Sequence, residues 1–574
     1  MAQAQVETGG RWFYLDAPFK YKELCKRVIT RRWDDNKKKW KYRKSPAVAA
    51  DLLRRFKRQD IELKYDEEFQ DYIELAKQVK KAKKAKRTDP ERLPEIPTTA
   101  FPAWGHQKQA FWFAYQLHAA GLFMDMGTGK TKVTIDLINN RDHRKTLVIA
   151  PLSVVPVWEV EVPKHTPEDE QVRVVGLDSR SVRGKMEHCR QEMAKAEAKD
   201  ERFVAAINYE SAWREPFGEW ALDAGWDFVV CDESHRIKSA GAKCSRYASR
   251  LADRVNYRLA LTGTPMSNGP LDLYGQYRFL DKGVFGTSFN RFKQRYAVMG
   301  GYQGHEVIDY KNETELNKRM FSIAYQCDSD EVLDLPETVD MYRYAELSGQ
   351  AAKKYDEVKN QFVTVLGEED EKELTVVNVL SQLMRLQQIS SGFLPDDDGE
   401  IHELPSDKLD LLDEVLDEIP ADEDIVIFAR FKYDIEQIKR VLEEHGRNPA
   451  EISGRMNEYE AYSHYYNCNG KLDSVVAQIQ AGGVGIDLSR ASYGIYYSMG
   501  FSYQNYEQSR ARLHRPGQES TVRFIHLLAR GTVDERVQGA LQAKEEIIDY
   551  IVNELTEGRI NREFSDELAD AEVV

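Results

Sequence analysis

Short apolar runs at residues 146–150, 204–207, 227–230 and 258–261 alternate with stretches whose apolar positions recur every three or four residues. That alternation of two- and 3.6-residue periods predicts a parallel α/β sheet beginning near residue 103. A second series, at 425–428, 474–479, 494–497 and 524–528, predicts another such sheet. The region between them, roughly 268–415, has a mainly helical pattern, interrupted by an acidic stretch at 368–373 and a polar loop at 396–399. Ahead of both series, residues 31–34 and 39–43 flank Asp35-Asn36 as two short strands joined by a turn, giving an aromatic and basic hairpin. Helical patterning follows over 45–58 and 67–86, until Pro90, Pro94, Pro97 and Pro102 mark a linker. The expected organisation is α/β: a small basic α+β domain at 1–92, two tandem parallel-sheet lobes with helical insertions at 93–340 and 341–556, and an acidic tail at 557–574.

Charge changes this picture at one end. The chain of 574 residues carries a net charge of −14, yet residues 1–92 hold 26 Lys and Arg against 15 Asp and Glu, a net of +11 that leaves −25 for the rest. A local positive potential of this kind suits phosphate backbones, so the N-terminal region is a candidate nucleic-acid module; part of it, near 77–87, also reads as a solvated helical face. With 42% hydrophobic residues, a mean hydropathy of −0.60 and no long uncharged apolar stretch, neither a membrane span nor an export signal is expected. The cysteines Cys25, Cys189, Cys231, Cys244, Cys327 and Cys468 lack metal-ligand spacing and suggest a reducing compartment. The expected location is the cytoplasm.

The chemistry is concentrated in two peptides that each follow an apolar run. In Gly127-Thr128-Gly129-Lys130-Thr131 the glycines allow backbone N–H groups to surround phosphates, Lys130 reaches the outer phosphates and the Thr131 hydroxyl holds Mg2+, with a helix opening over 132–138. In Asp232-Glu233-Ser234-His235, Asp232 completes the magnesium shell and Glu233 orients or deprotonates the attacking water. Together they specify a nucleotide triphosphatase. The position six before Lys130 is normally small in such loops, and here it is Met124.

Further motifs follow in order. Gln107, in Trp104-Gly105-His106-Gln107, has an amide suited to adenine; Pro151-Leu152-Ser153 with Trp158-Glu159, Asn208-Tyr209-Glu210 and Leu261-Thr262-Gly263-Thr264-Pro265 with Asn268 complete the first half. The second half contains Phe428-Ala429-Arg430-Phe431, Ile452-Ser453-Gly454, residues 480–488 from Gln480 through Gly485 and Asp487, and Gln508-Ser509-Arg510-Ala511-Arg512-Leu513-His514-Arg515-Pro516-Gly517-Gln518. The series resembles the Swi/Snf-type superfamily 2 DNA translocases over roughly 100–545, in a short form similar to bacterial and bacteriophage members. Residues 11–75 also resemble, more weakly, the HARP domain of annealing helicases, through Pro18-Phe19, Arg31-Arg32-Trp33-Asp34 and Lys39-Trp40.

The resemblance implies two RecA-like lobes, with ATP on the first and arginines from the second completing its site. Arg512 and Arg515, three apart on an expected helix, would share one face and meet phosphate oxygens together after Gln508. Gly485 and Asp487 would contact the nucleotide, Asp487 at the ribose. DNA, double-stranded or branched, would be held by Ser153, Tyr209, Lys238, Arg430 and Gln480, and in the N-terminal module by Arg31, Arg32, Trp33 and Trp40. Where the family has a basic bridge between lobes, this chain reads Tyr325-Gln326-Cys327-Asp328, and Trp-Asn-Pro is replaced by Phe501-Ser502-Tyr503. Two other readings share these motifs: an RNA helicase, and a factor acting chiefly through a replication or transcription protein partner.

Overall fold

The computed structural model describes residues 3–178, 180–267, 269–300, 306–367, 376–396, 400–453, 473–479 and 487–542. The expectations placed on Asn268, residues 368–373, 397–399, 454, Cys468, Gln480, Gly485 and the tail 557–574 lie outside the described residues. The chain divides into two compact units, Met1–Leu333 and Asp334–Val574.

Within the first unit, strands at Arg32–Asp34, Lys39–Arg43, Trp12–Asp16, Gln3–Gly9 and Glu62–Tyr65 form a five-stranded sheet in that spatial order. The expected hairpin is present, with Trp33 opposite Trp40. Strand alternation sends Phe13, Leu15 and Tyr42 inward against Leu52 and Phe56 of the Pro46–Lys57 helix and Phe69 of the Glu67–Arg87 helix. Ser45 caps the first helix by accepting from the N–H groups of Ala47 and Val48, and Asp66 caps the second through Phe69 N–H. The basic sheet is fastened to the rest of its unit. Asp253 receives Arg43, Lys282 at 2.6 Å and Arg11 at 3.2 Å, while Ser45 Oγ donates to Asp281 at 2.9 Å. Ala82, near the end of the long helix, belongs to the large core of the unit.

The seven-stranded sheet of the first unit runs Ala324–Cys327, Ala119–Met124, Tyr257–Thr262, Phe228–Cys231, Lys145–Ala150, Arg202–Asn208, Val172–Leu177, with every neighbouring pair parallel. Its central strands are almost wholly buried because helices cover both faces, so they read as mostly apolar runs. The second unit has a six-stranded parallel sheet in the order Thr338–Ala345, Val522–Ala529, Tyr493–Tyr496, Ile425–Ala429, Ser474–Gln478, Pro449–Ile452. Two large parallel sheets, one in each unit as expected, therefore organise the chain.

The region 268–415 is mainly helical, as expected, with short strands among the helices. It contains an antiparallel hairpin, Ala297–Gly300 with Glu306–Tyr310, and edge strands for both large sheets. Ala324–Cys327 is only four residues long, too short to show a period. Thr338–Ala345 carries Asp340 and Arg343 because an edge strand has one neighbour and much exposed side-chain surface. The segment read as a bridge, Tyr325-Gln326-Cys327-Asp328, is thus chiefly sheet: Cys327 O accepts from Asp125 N at 2.9 Å, beside the phosphate loop.

Candidate functional site

Three adjacent parallel strands deliver three motifs to one edge of the first unit's large sheet. Ala119–Met124 leads into the glycine loop, Tyr257–Thr262 into Thr262-Gly263-Thr264-Pro265, and Phe228–Cys231 into Asp232-Glu233. The carboxyl ends of parallel strands are where such sheets place ligands, because the following turns splay apart there.

The loop turns on Gly127 and Gly129, both at positive φ (76° and 90°). Gly129 precedes the helix Lys130–Asn140, so the unsatisfied N–H groups of the first helical turn face the loop. Helix Gly105–Tyr115 holds the loop from behind: His106 Nε2 lies 2.8 Å from Thr128 O, and Gln107 Nε2 donates to the same oxygen at 3.2 Å. A Cβ at Gly129 would lie 2.3 Å from Gln107 Nε2, so glycine is demanded there by contact as well as by φ. Gln107 also accepts from Trp104 N–H at 3.0 Å, and its amide therefore braces the loop. Lys130 Nζ donates to Met124 O at 2.8 Å and Asp125 O at 3.1 Å. Only the carbonyl of Met124 is used in this way, and its side chain is buried in the core, which explains why a large residue is accommodated at that position. Thr131, in the first turn, is half-buried.

Asp232 is nearly enclosed. Trp158 Nε1 donates to one carboxylate oxygen at 3.1 Å, Glu233 N–H to the other at 3.0 Å, and Tyr209 OH to the Asp232 carbonyl at 2.7 Å. Burial, then the neighbouring Glu233 charge, push the Asp232 carboxyl well above its ordinary value; the Trp158 bond and the nearby Lys130 charge oppose the rise. A divalent cation would supply the missing positive charge. Glu233 has a left-handed backbone (φ 48°), costly for a residue with a Cβ and held by the two flanking hydrogen-bonded segments. His235 Nδ1 lies 3.3 Å from Glu233 Oε2 and 3.4 Å from Thr262 Oγ1.

The sequence motif assigns Trp158 no role, and its indole N–H bond to Asp232 is the feature that sequence reasoning missed. Tyr209 is corrected in the opposite direction: it is 3% exposed and committed to Asp232, so it has no surface to offer a phosphate backbone. Ser153 lies half-buried in the turn after Lys145–Ala150. Lys238 follows the acidic box, pairing with Asp272 at 3.3 Å and donating to Ser267 Oγ at 3.0 Å.

In the second unit Gln508 and Arg512 lie on the helix Tyr503–Leu513, but Arg515 does not. The expected shared helical face is corrected because the helix stops at Leu513, ahead of Pro516 and of Gly517 at φ 105°. The two arginines still border one loop: Leu488 N donates to Arg512 O at 3.1 Å, and Arg515 Nε lies 3.8 Å from Asp487 Oδ1. Arg430 is turned inward, its guanidinium 3.8 Å from the centre of the Phe501 ring and bonded to Gln387 at 2.5 Å. Burial lowers its pKa to about 10, with Asp434 opposing. A DNA contact by Arg430 would require that side chain to leave its ring.

In the N-terminal sheet Arg31 is half-buried and Arg32 exposed. Trp33 is 44% exposed and meets Trp40 edge-on at 5.2 Å, whereas Trp40 packs on the core. Arg32 lies instead over Trp12, on the opposite sheet face from Trp33. The stacking and phosphate-binding groups expected together are therefore separated by strand alternation, and the aromatics sharing the basic face are Trp12 and Tyr14, the latter beneath Lys37.

No described helix is long and apolar enough to cross a membrane, and no metal-binding cluster of His, Cys, Asp and Glu occurs among the described residues. Comparison with known families matches the SNF2-related domain over residues 106–392 and the helicase conserved C-terminal domain over 407–517. The YwqA protein of Bacillus subtilis, named as an ATP-dependent helicase/translocase, is 28% identical over 445 residues, covering 75% of this chain and 46% of that protein. Protein p41 of Acyrthosiphon pisum secondary endosymbiont phage 1 is 23% identical over 466 residues, covering 75% and 94%. The chain spans about half the length of the Bacillus relative, and nearly all of the phage one. Among solved structures, the Sulfolobus solfataricus SWI2/SNF2 ATPase core in complex with dsDNA matches 79% of this chain and 93% of that one at 24% identity, with a TM-score of 0.38.

Proposed function

The chain belongs to the SNF2-related family, and from that premise we propose that it is an ATP-dependent translocase on double-stranded DNA that remodels DNA or protein–DNA complexes. The observation that carries the reading is the meeting of the glycine loop, the acidic box and the Thr-Gly-Thr-Pro turn on three neighbouring strand ends.

In this reading ATP lies with its phosphates against the N–H groups of Gly127, Thr128 and Gly129, and Lys130 moves from its carbonyls to the outer phosphates. Gln107 keeps one N–H and one oxygen lone pair beyond those it spends on the loop, enough for an adenine edge. Thr131 and Asp232 fit Mg2+ as a hydroxyl and a buried carboxylate, and the ion would neutralise charge on the phosphate oxygens. Glu233 takes a proton from water as its oxygen bonds to the γ-phosphorus and the bond to the ADP oxygen breaks. Arg512 and Arg515 offset the charge that builds on the phosphoryl group, Gln508 helps to place it, and Gly485 and Asp487 hold the sugar end of the nucleotide. Ser153 and Lys238 hold the DNA backbone through phosphates, which makes movement independent of sequence. The basic N-terminal sheet adds a second contact, selecting branched DNA.

ATP turnover should be measured with Mg2+ against a panel of duplex, forked and single-stranded DNA and RNA, alongside displacement of a triplex strand from duplex DNA. Duplex or forked DNA should stimulate turnover and the triplex strand should leave only with ATP. Stimulation by RNA alone, or efficient unwinding of a blunt duplex without triplex displacement, would overturn the proposal. Equal turnover with every nucleic acid and with none would favour a protein partner.

A further inference from the structure

The acidic box and the Thr-Gly-Thr-Pro turn are joined by a side chain that belongs to neither. Gln276 lies on the helix Leu273–Leu280 and is completely buried. Its Oε1 accepts from Ser234 Oγ at 2.9 Å, and its Nε2 donates to Pro265 O at 2.7 Å and to Asp272 O at 3.2 Å. Ser234, also completely buried, follows Glu233 directly. One amide thus ties the residue beside the proposed base to the backbone of the neighbouring turn.

The helix that carries Gln276 is seated tightly. A Cβ on Gly275 would come within 2.0 Å of Ile237 O and 2.5 Å of Lys238 O, so its backbone lies directly on the short helix Ser234–Ile237. At the far end of the same turn, Ser267 accepts from Lys238, which also pairs with Asp272. A DNA phosphate at Lys238 competes with Ser267 and Asp272 for its ammonium. The bonds from Pro265 O through Gln276 to Ser234 form a continuous path from residues 262–267 to the strained backbone of Glu233.

We propose that Gln276 is a positioning residue that transmits DNA engagement at Lys238 to the hydrolytic carboxylate of Glu233, an inference that rests on the DNA-stimulated ATPase proposed above. Leucine at this position would fill the same space without any of the three bonds, leaving the Ser234 hydroxyl and the Pro265 carbonyl without the Gln276 amide. Through a shared network, the two ends would lose their coupling while each motif keeps its own backbone.

The test compares full-length wild type with Gln276→Leu, Gln276→Glu, Ser234→Ala and the Ser234→Ala/Gln276→Leu double variant, measuring turnover with and without duplex DNA, KM for ATP, duplex affinity and Tm. Gln276→Leu should lower the DNA-stimulated maximal rate about tenfold while turnover without DNA, KM for ATP and duplex affinity stay within about twofold. Gln276→Glu, which keeps the acceptor for Ser234 and loses the donor to Pro265, should fall between. The double variant should show no further loss of stimulation than Gln276→Leu, since both changes cut one chain of bonds. Basal and stimulated rates falling in parallel with a lowered Tm, full stimulation of Gln276→Leu, or multiplying losses in the double variant would each overturn the inference. A wild type that duplex DNA does not stimulate would instead defeat the underlying DNA-dependent reading.

Discussion

The acidic box of the first unit and the arginine segment of the second are built in opposite ways. Asp232 sits at a central strand end with its side chain and carbonyl engaged by Trp158, Glu233 and Tyr209. Arg515 lies past the end of a helix, partly exposed, and 3.8 Å from its carboxylate neighbour. The first arrangement is fixed by sheet register and buried hydrogen bonds before any ligand arrives. The second rests on long side chains beside a loop, one of them at the edge of ion-pair distance. Preorganisation serves the groups that bind metal and water, whereas adjustable charge suits groups needed most as the transition state forms.

The widest separation between the two regions should come from Lys130→Ala, which removes the loop's cation and should reduce ATP turnover below detection in a folded protein, as judged by unchanged circular dichroism. Residual turnover within tenfold of wild type would remove the glycine loop from the mechanism. Glu233→Gln should follow, with a loss of about a thousandfold in maximal rate and ATP binding retained, because the amide has the same shape and no basicity. Nucleotide binding by fluorescence, combined with turnover, checks both halves of that expectation.

If the two arginines act as proposed, Arg515→Ala and Arg512→Ala should lower the maximal rate about a hundredfold and shift KM for ATP much less, as expected for a contact made chiefly in the transition state. A change confined to KM would make them simple binding groups and erase the contrast with the acidic box. The smallest effect is expected from Trp158→Phe, which removes one hydrogen bond to a charged group worth about 1.5–3 kcal/mol. It should raise the Mg2+ concentration needed for half-maximal turnover about tenfold, with little change in the rate at saturating metal. Unaltered metal dependence would show that strand geometry alone positions Asp232.

The N-terminal sheet shows the same division. Its inner face is a packed core, while Trp33 at the edge remains partly exposed. Because Ala82 contributes to the motor core, deleting residues 1–92 removes part of that core together with the basic surface. Point substitutions on the sheet therefore isolate the surface contribution cleanly.

The amino-acid sequence by itself determined two parallel sheets, the phosphate loop and the acidic box, because each depends on neighbouring residues: apolar runs long enough to show a period, and glycines and carboxylates within a single turn. It did not reveal Ala324–Cys327 or Thr338–Ala345 as strands, since a short or polar edge strand is defined by its one neighbour rather than by its own pattern. Tertiary structure alone decided that Tyr209 faces inward, that Trp158 meets Asp232 across 74 residues of chain, and that Gln276 joins Ser234 to Pro265. Those contacts arise between strand ends brought side by side by crossovers, so no local spacing records them. Arg515 illustrates the limit within one motif: the three-residue interval was plain in the sequence, but where the helix ended settled which way its side chain could turn.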